Sequence, residues 1–148
     1  MLEKAISRAR NRRRDVMKKV QHEVEAIFQK SGLAMQITGR EKTLHSIYKK
    51  MDTKNLSFAQ VNDLYGFRLI LGGVTECYTA LGLLHQLYKP VPGRFKDHIA
   101  IAKLNGYQSL HTTVVGPSGT NVEFQLRTQS MNVVAESGVA AHWLYKND

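Results

Sequence analysis

Residues 109 to 128 read Ser109-Leu110-His111-Thr112-Thr113-Val114-Val115, then Gly116-Pro117-Ser118-Gly119-Thr120, then Asn121-Val122-Glu123-Phe124-Gln125-Leu126-Arg127-Thr128. Side chains alternate faces along an extended strand, so Val122, Phe124 and Leu126 point one way and Glu123, Gln125 and Arg127 the other. The segment before it repeats the pattern less strictly, setting Leu110, Thr112 and Val114 against Ser109, His111 and Thr113. Gly116-Pro117-Ser118-Gly119 between them has the composition of a hairpin connection. Two adjacent strands with one apolar face and with Glu, Gln, Arg, His and Ser on the other make a candidate site floor. The bland alternative is an ordinary wet sheet surface.

Outward from this hairpin, both directions turn helical. After it, Ser130 to about Tyr145 forms a helix expected to pack Val133, Val134, Val139 and Trp143. Before it, Lys89 to Lys103 holds Pro90, Pro92 and Gly93 and reads as a basic loop, with a short strand expected at His98 to Ala102. Thr75 is the expected cap of a helix running to about Tyr88, with Tyr78, Leu81, Leu84 and Leu87 inward. Phe67-Arg68-Leu69-Ile70-Leu71 is a strand closed by Gly72-Gly73, and a short helix from Ser57 to Leu64 precedes it. A helix from Glu41 to about Met51 carries its apolar stripe on Leu44, Ile47, Tyr48 and Met51, which leaves Lys42, Ser46 and Lys50 on the polar side. Ala34 to Thr38 alternates like a strand. Glu3 to about Lys30 is a long amphipathic helix ended by Ser31-Gly32. The order predicts an α+β domain with a mixed, mostly antiparallel sheet flanked by helices and no βαβ repeat.

The chain has 148 residues and a net charge of +9, which implies an anionic partner. That charge is concentrated: residues 3 to 19 hold eight Lys/Arg against two acids, 40 to 54 five against two, and 89 to 103 four against one. Basic segments with isolated carboxylates suit a polyphosphate and metal site better than a uniform nucleic-acid face. A magnesium ion at such a site needs only one or two protein carboxylates, because it takes other ligands from phosphate and water. Asp63, just ahead of the central strand, and Glu123 are the candidates. Lys42, Ser46 and Lys50, at four-residue steps, could line a triphosphate; alone, such a stripe is ordinarily a solvated face. No GxxxxGK[ST], GxGxxG, HExxH or GxSxG pattern occurs, so P-loop, Rossmann, zincin and serine-hydrolase chemistries lack support. The single cysteine, Cys77, sits in an apolar-periodic stretch and reads as a buried thiol. No run approaches the roughly 20 apolar residues of a membrane span, and no signal-peptide h-region is present, so a cytoplasmic protein is expected.

Several longer motifs carry a resemblance. Gly39-Arg40-Glu41-Lys42, Ser46 to Met51 and Asp63-Leu64-Tyr65-Gly66-Phe67-Arg68 look like the ATP-binding half of a RelA/SpoT-type synthetase domain. Pro92 to Asp97, Asn105 to Thr113, Glu123 to Thr128 and Gly138 to Trp143 resemble its acceptor half. The resemblance implies a nucleotidyltransferase-like sheet and a pyrophosphokinase that moves pyrophosphate from ATP to the 3′-hydroxyl of GDP or GTP, with Mg²⁺ as cofactor. It implies that Arg40 stacks on adenine and that Lys42, Ser46 and Lys50 meet the ATP phosphates. Asp63 and Glu123 would hold the metal, Glu123 alternatively acting as base. Tyr107 would stack on guanine, and Arg94, Lys96, Lys103, Asn105, His111 and Gln125 would meet the acceptor. Some relatives sandwich adenine with a second basic residue; here Gly72-Gly73-Val74-Thr75-Glu76 lacks one, which lowers ATP affinity or leaves the place to Arg68 or a residue from elsewhere.

The basic form of Arg94-Phe95-Lys96-Asp97 points to a bifunctional, SpoT-like parent. Residues 1 to 32 are then an N-terminal helix and 33 to 148 the catalytic core, without the hydrolase and regulatory domains of such parents. The alternative, from another class, is a weakly active or inactive domain that binds guanine nucleotide as a regulatory module. RNA or ribosome binding through Arg8 to Arg14 would explain the charge but not the carboxylates, and is not favoured. No membrane partner is expected.

Overall fold

A computed structural model describes residues 2–39 and 65–146. The expected helices over residues 41 to 51 and 57 to 64 lie outside them. Helix α1, Leu2–Ser31, buries Val16, Val20, Val24 and Phe28 at four-residue steps. It stops where Gly32 takes a φ of 70°, and the N–H of Leu33 donates to the Phe28 carbonyl at 3.0 Å, the left-handed helix terminus that glycine permits.

Strands β1, Met35–Gly39, and β2, Tyr65–Leu71, lead to α2, Val74–Leu87. Two short strands follow, β3, Lys89–Pro90, and β4, Lys96–Asp97, then β5, Leu110–Val115, β6, Asn121–Thr128, and α3, Gln129–Lys146. Among the described residues the sheet order is β1-β2-β6-β5-β3, with β4 also on β5. β2 and β6 run parallel, and the other pairs are antiparallel. The sheet is therefore mixed and mostly antiparallel, as the element order predicts. One sheet face, carrying Phe67, Leu69, Leu110, Val114, Val122, Phe124 and Leu126, forms the core with α1 and α2. Phe67 and Phe124 are register partners with ring centroids 5.6 Å apart. Fully burying each such ring contributes roughly 1.5–3 kcal/mol.

Four local expectations are corrected. The cap of α2 is Gly73, with no side-chain hydrogen bond; Thr75 lies inside the helix, where its carbonyl accepts from the Thr79 hydroxyl. Tyr78 is not inward but 38% exposed, while Cys77, Ala80 and Leu84 fill the buried stripe and Leu81 and Leu87 are partly buried. The short basic strand is Lys96–Asp97, and residues 98 to 100 turn instead of extending. In α3, Val133 and Val134 are exposed and Met131 and Ala135 are buried. The misread faces of α2 and α3 share one cause: a stripe of apolar side chains fixes a period, whereas the neighbouring elements decide which side of the helix is covered. No helix among the described residues is long and apolar enough to cross a membrane.

Candidate active site

Directly paired residues share a sheet face. The register therefore aligns Lys96 of β4, His111 of β5, Gln125 of β6, Arg68 of β2 and Thr38 of β1 in one row opposite the core. The adjoining row sets Glu123 between Gly66 of β2 and Thr113 of β5. Glu123 is half-buried, and Gly66 contributes no side chain beside it. The polar face expected from alternation is present, and it is drier than a wet surface: Gln125 is 7% exposed and Arg127 2%. Burying these groups is tolerable only with hydrogen-bond partners. Arg127 Nη2 donates to Gln125 Oε1 and, at 3.4 Å, to the Tyr107 hydroxyl. Arg68 carries a buried Nε that has no hydrogen-bond partner among the described residues.

Tyr107 reaches this floor from the loop before β5. Gly106 adopts a φ of 83°, the Lys103 N–H donates to the Tyr107 carbonyl at 3.1 Å, and Asn105 Oδ1 accepts the Tyr107 N–H at 3.0 Å. The loop is therefore closed on itself, with the Asn105 side chain folded onto its backbone. The Tyr107 hydroxyl stands 2.7 Å from His111 Nε2. Its ring has the Lys103 ammonium 5.6 Å and the Arg127 guanidinium 5.4 Å from its centroid, within cation–π range. His98 packs edge-on to both Tyr107 and His111, with centroids 6.3 and 5.6 Å away.

The loop segment before β4 is held on the other side. Phe95 meets His85 of α2 edge-on at 6.5 Å, and Asp97 Oδ2 accepts the Tyr78 hydroxyl of α2 at 2.7 Å. Asp97 Oδ1 accepts the N–H groups of Ile99 and Ala100 at 2.9 and 2.8 Å. Desolvation pushes the Asp97 carboxyl up, but hydrogen bonds from Ala100, Tyr78 and Ile99 outweigh it and hold it below the usual carboxylate range. Arg94, half-buried, donates its backbone N–H to Val91. Burial, reinforced by the charge of Glu76, pushes the Cys77 thiol up to about 11, which fits a packing role.

Glu123, Gln125, His111, Lys96, Tyr107, Lys103 and Asn105 thus come from three separate stretches to one floor and its adjoining loop, with Arg94 two residues before Lys96. Arg40, Lys42, Ser46, Lys50 and Asp63 lie outside the described residues. Sequence reading placed Arg127 on the polar face but gave it no role, and its alternation with Gln125 was the available signal. It missed His98, which stands in a turn without periodicity. Among the described residues no group of three or more His, Cys, Asp or Glu side chains could hold a metal ion. A lone carboxylate such as Glu123 still suits magnesium, whose remaining ligands come from phosphate and water.

The mixed sheet with helices packed on it defines an α+β domain whose fold is shared with alarmone synthetases. The small alarmone synthetase 2 of Bacillus subtilis superposes with a TM-score of 0.77 over 91% of this chain and 78% of its own, at 23% identity. Small alarmone synthetase 1 of the same organism, bound to its product pppGpp, gives 0.76 over 98% and 84%, also at 23% identity. The chain belongs to the RelA/SpoT family: the model of the region found in RelA / SpoT proteins matches residues 39–148. The bifunctional (p)ppGpp synthase/hydrolase SpoT of Escherichia coli K12 is 48% identical over 146 residues, covering 99% of this chain and 21% of that protein. The GTP pyrophosphokinase rsh of Brucella ovis is 46% identical over 134 residues, 90% of this chain and 18% of that protein. The chain spans about a fifth of these relatives.

Proposed function

We propose that this domain is an ATP:GTP/GDP 3′-pyrophosphokinase that makes (p)ppGpp, the catalytic core of a bifunctional parent. The observation that carries the reading is the floor itself. One carboxylate, Glu123, is paired with Gly66, which contributes no side chain, and lies one row from Lys96, His111 and Gln125, with the Tyr107 hydroxyl against His111. Family membership and the product-bound relative support the same substrates.

In this reading the acceptor's 3′-oxygen attacks the β-phosphorus of ATP. The bond from that phosphorus to the α–β bridging oxygen breaks, AMP leaves, and the 3′-hydroxyl proton passes to Glu123 or to water it orients. Glu123 and Asp63 would hold the magnesium ion. Asp63 stands two residues ahead of Tyr65 in the chain, and Tyr65 pairs with Val122, the neighbour of Glu123. When bound, the ion offsets charge on the phosphates. Tyr107 stacks on guanine, displacing or sharing the Lys103 ammonium near its ring. Lys96, Lys103, His111 and Arg94 meet the acceptor's phosphates, and Asn105 and Gln125 its polar edges. Arg40, Lys42, Ser46 and Lys50 hold ATP. Arg68, on the same sheet face and with its Nε unmatched among the described residues, takes the second adenine contact that Gly72 to Glu76 does not provide.

The test is to incubate the chain with Mg²⁺, ATP and GDP or GTP and to resolve the nucleotides. A new, more anionic guanine species together with AMP is expected. Glu123→Gln should lower turnover at least about 100-fold, the usual scale for a general base, while GDP binding survives. Comparable turnover from Glu123→Gln would remove its assigned role. Guanine-nucleotide binding without product at high enzyme concentration would establish the regulatory-module reading instead.

A further inference from the structure

Residues 95 to 98 alternate across β4. Phe95 and Asp97 turn toward α2, where they meet His85 and Tyr78; Lys96 pairs with His111, and His98 packs on His111 and Tyr107. Tyr78 and His85 are seven residues apart, two turns of one helix and hence on one face of it. Helix α2 therefore grips the loop at two points, from the side opposite the candidate site. The grip matters because β4 is only two residues long and is held to β5 through its pairs with Leu110 and His111, extended by the His98 N–H to the Ser109 carbonyl at 2.9 Å. So short a pairing does not fix its register unaided.

We propose that Tyr78 and Asp97 form a positioning clamp for the acceptor subsite. The Tyr78 hydroxyl, by holding Asp97, keeps Lys96 and His98 on the floor side of β4 and keeps the Asp97 carboxylate turned away from the acceptor's phosphates. The inference rests on the acceptor-site reading above and adds to it two residues, neither of which touches substrate. A slackened clamp would let Lys96 leave its row and let an anion approach the bound phosphates, two changes that weaken guanine-nucleotide binding and spare ATP. Tyr78 is 38% exposed, so removing its hydroxyl opens no cavity in the core.

The experiment uses the intact chain and its Tyr78→Phe, Asp97→Asn and double variants. GDP and ATP binding are measured separately by calorimetry, with hydrogen exchange followed at the Ile99 and Ala100 amides. Tyr78→Phe is expected to weaken GDP about fivefold, the scale of one charge-assisted hydrogen bond at a partly exposed site. ATP affinity and Tm should stay at parental values, exchange at the two amides should quicken, and the double variant should bind GDP no worse than Asp97→Asn. GDP binding by Tyr78→Phe within twofold of the parent, equal losses for GDP and ATP, or additive losses in the double variant would each overturn the clamp alone. A parent chain that binds neither GDP nor GTP would overturn the acceptor-site reading and the clamp with it.

Discussion

Single side chains on this fold do work that residue type alone does not announce. Burial pushes the His85 imidazole, 2.8 Å from the Thr112 hydroxyl, below its ordinary pKa. Between that lowered value and about 6.5 the unfolded chain binds a proton that the folded chain refuses. The stability that His85 contributes is therefore complete above about pH 6.5 and declines as pH falls toward its native pKa. An NMR titration should place the His85 midpoint below 6.5, and a midpoint at or above 6.5 would contradict the burial argument. Cys77 gives a second prediction. With its thiol buried and pushed up to about 11, it should resist thiol reagents in the folded protein and react on unfolding, since the thiolate is the reactive form. Rapid labelling at pH 7 without loss of structure would show that the site opens.

Among elements, β6 bears the most. It lies between its parallel partner β2 and its antiparallel partner β5, places Phe124 in the core and sets Glu123 and Gln125 on the floor. Phe124→Ala should cost about 3–5 kcal/mol by chemical denaturation, because it removes a fully buried ring stacked on Phe67. Helix α2 offers the opposite case. Its cap is Gly73, which uses no side chain. Thr75→Ala should therefore change stability by less than about 0.5 kcal/mol, whereas a capping threonine would cost about 1 kcal/mol. The error in placing the cap was one of boundary: threonine and glycine both signal a helix start, and only backbone geometry decides between them.

At the scale of the molecule, the basic cluster of α1 is separated from the candidate floor. Arg8, Arg12 and Lys19 of α1 line an open groove of about 520 Å³ with Asp15, Pro117 and Ser118, where the helix passes the turn between β5 and β6. Buried residues of α1 belong to the core on the opposite sheet face from Glu123. Replacing Arg8 and Arg12 by Ala should accordingly leave nucleotide turnover within about twofold, since these exposed side chains line a groove beside the β5–β6 turn and exposed charges are screened by salt. A larger loss would mean that α1 contributes to the site.

The sequence determined by itself the elements whose period is unbroken: the 30-residue helix of α1, the β5–β6 hairpin, and the alternation that sorts Val122, Phe124 and Leu126 from Glu123, Gln125 and Arg127. Period and turn chemistry are local properties, so a linear chain displays them. The family's motifs likewise put forward Tyr107, His111, Lys96 and Gln125 as candidates. Tertiary structure alone decided the parallel pairing of β2 with β6, the burial of Arg127 and Gln125, and the grip of Tyr78 on Asp97 across 19 residues. Those depend on which surfaces meet in space, and the free energy of contact between distant segments is written in no single stretch of the chain.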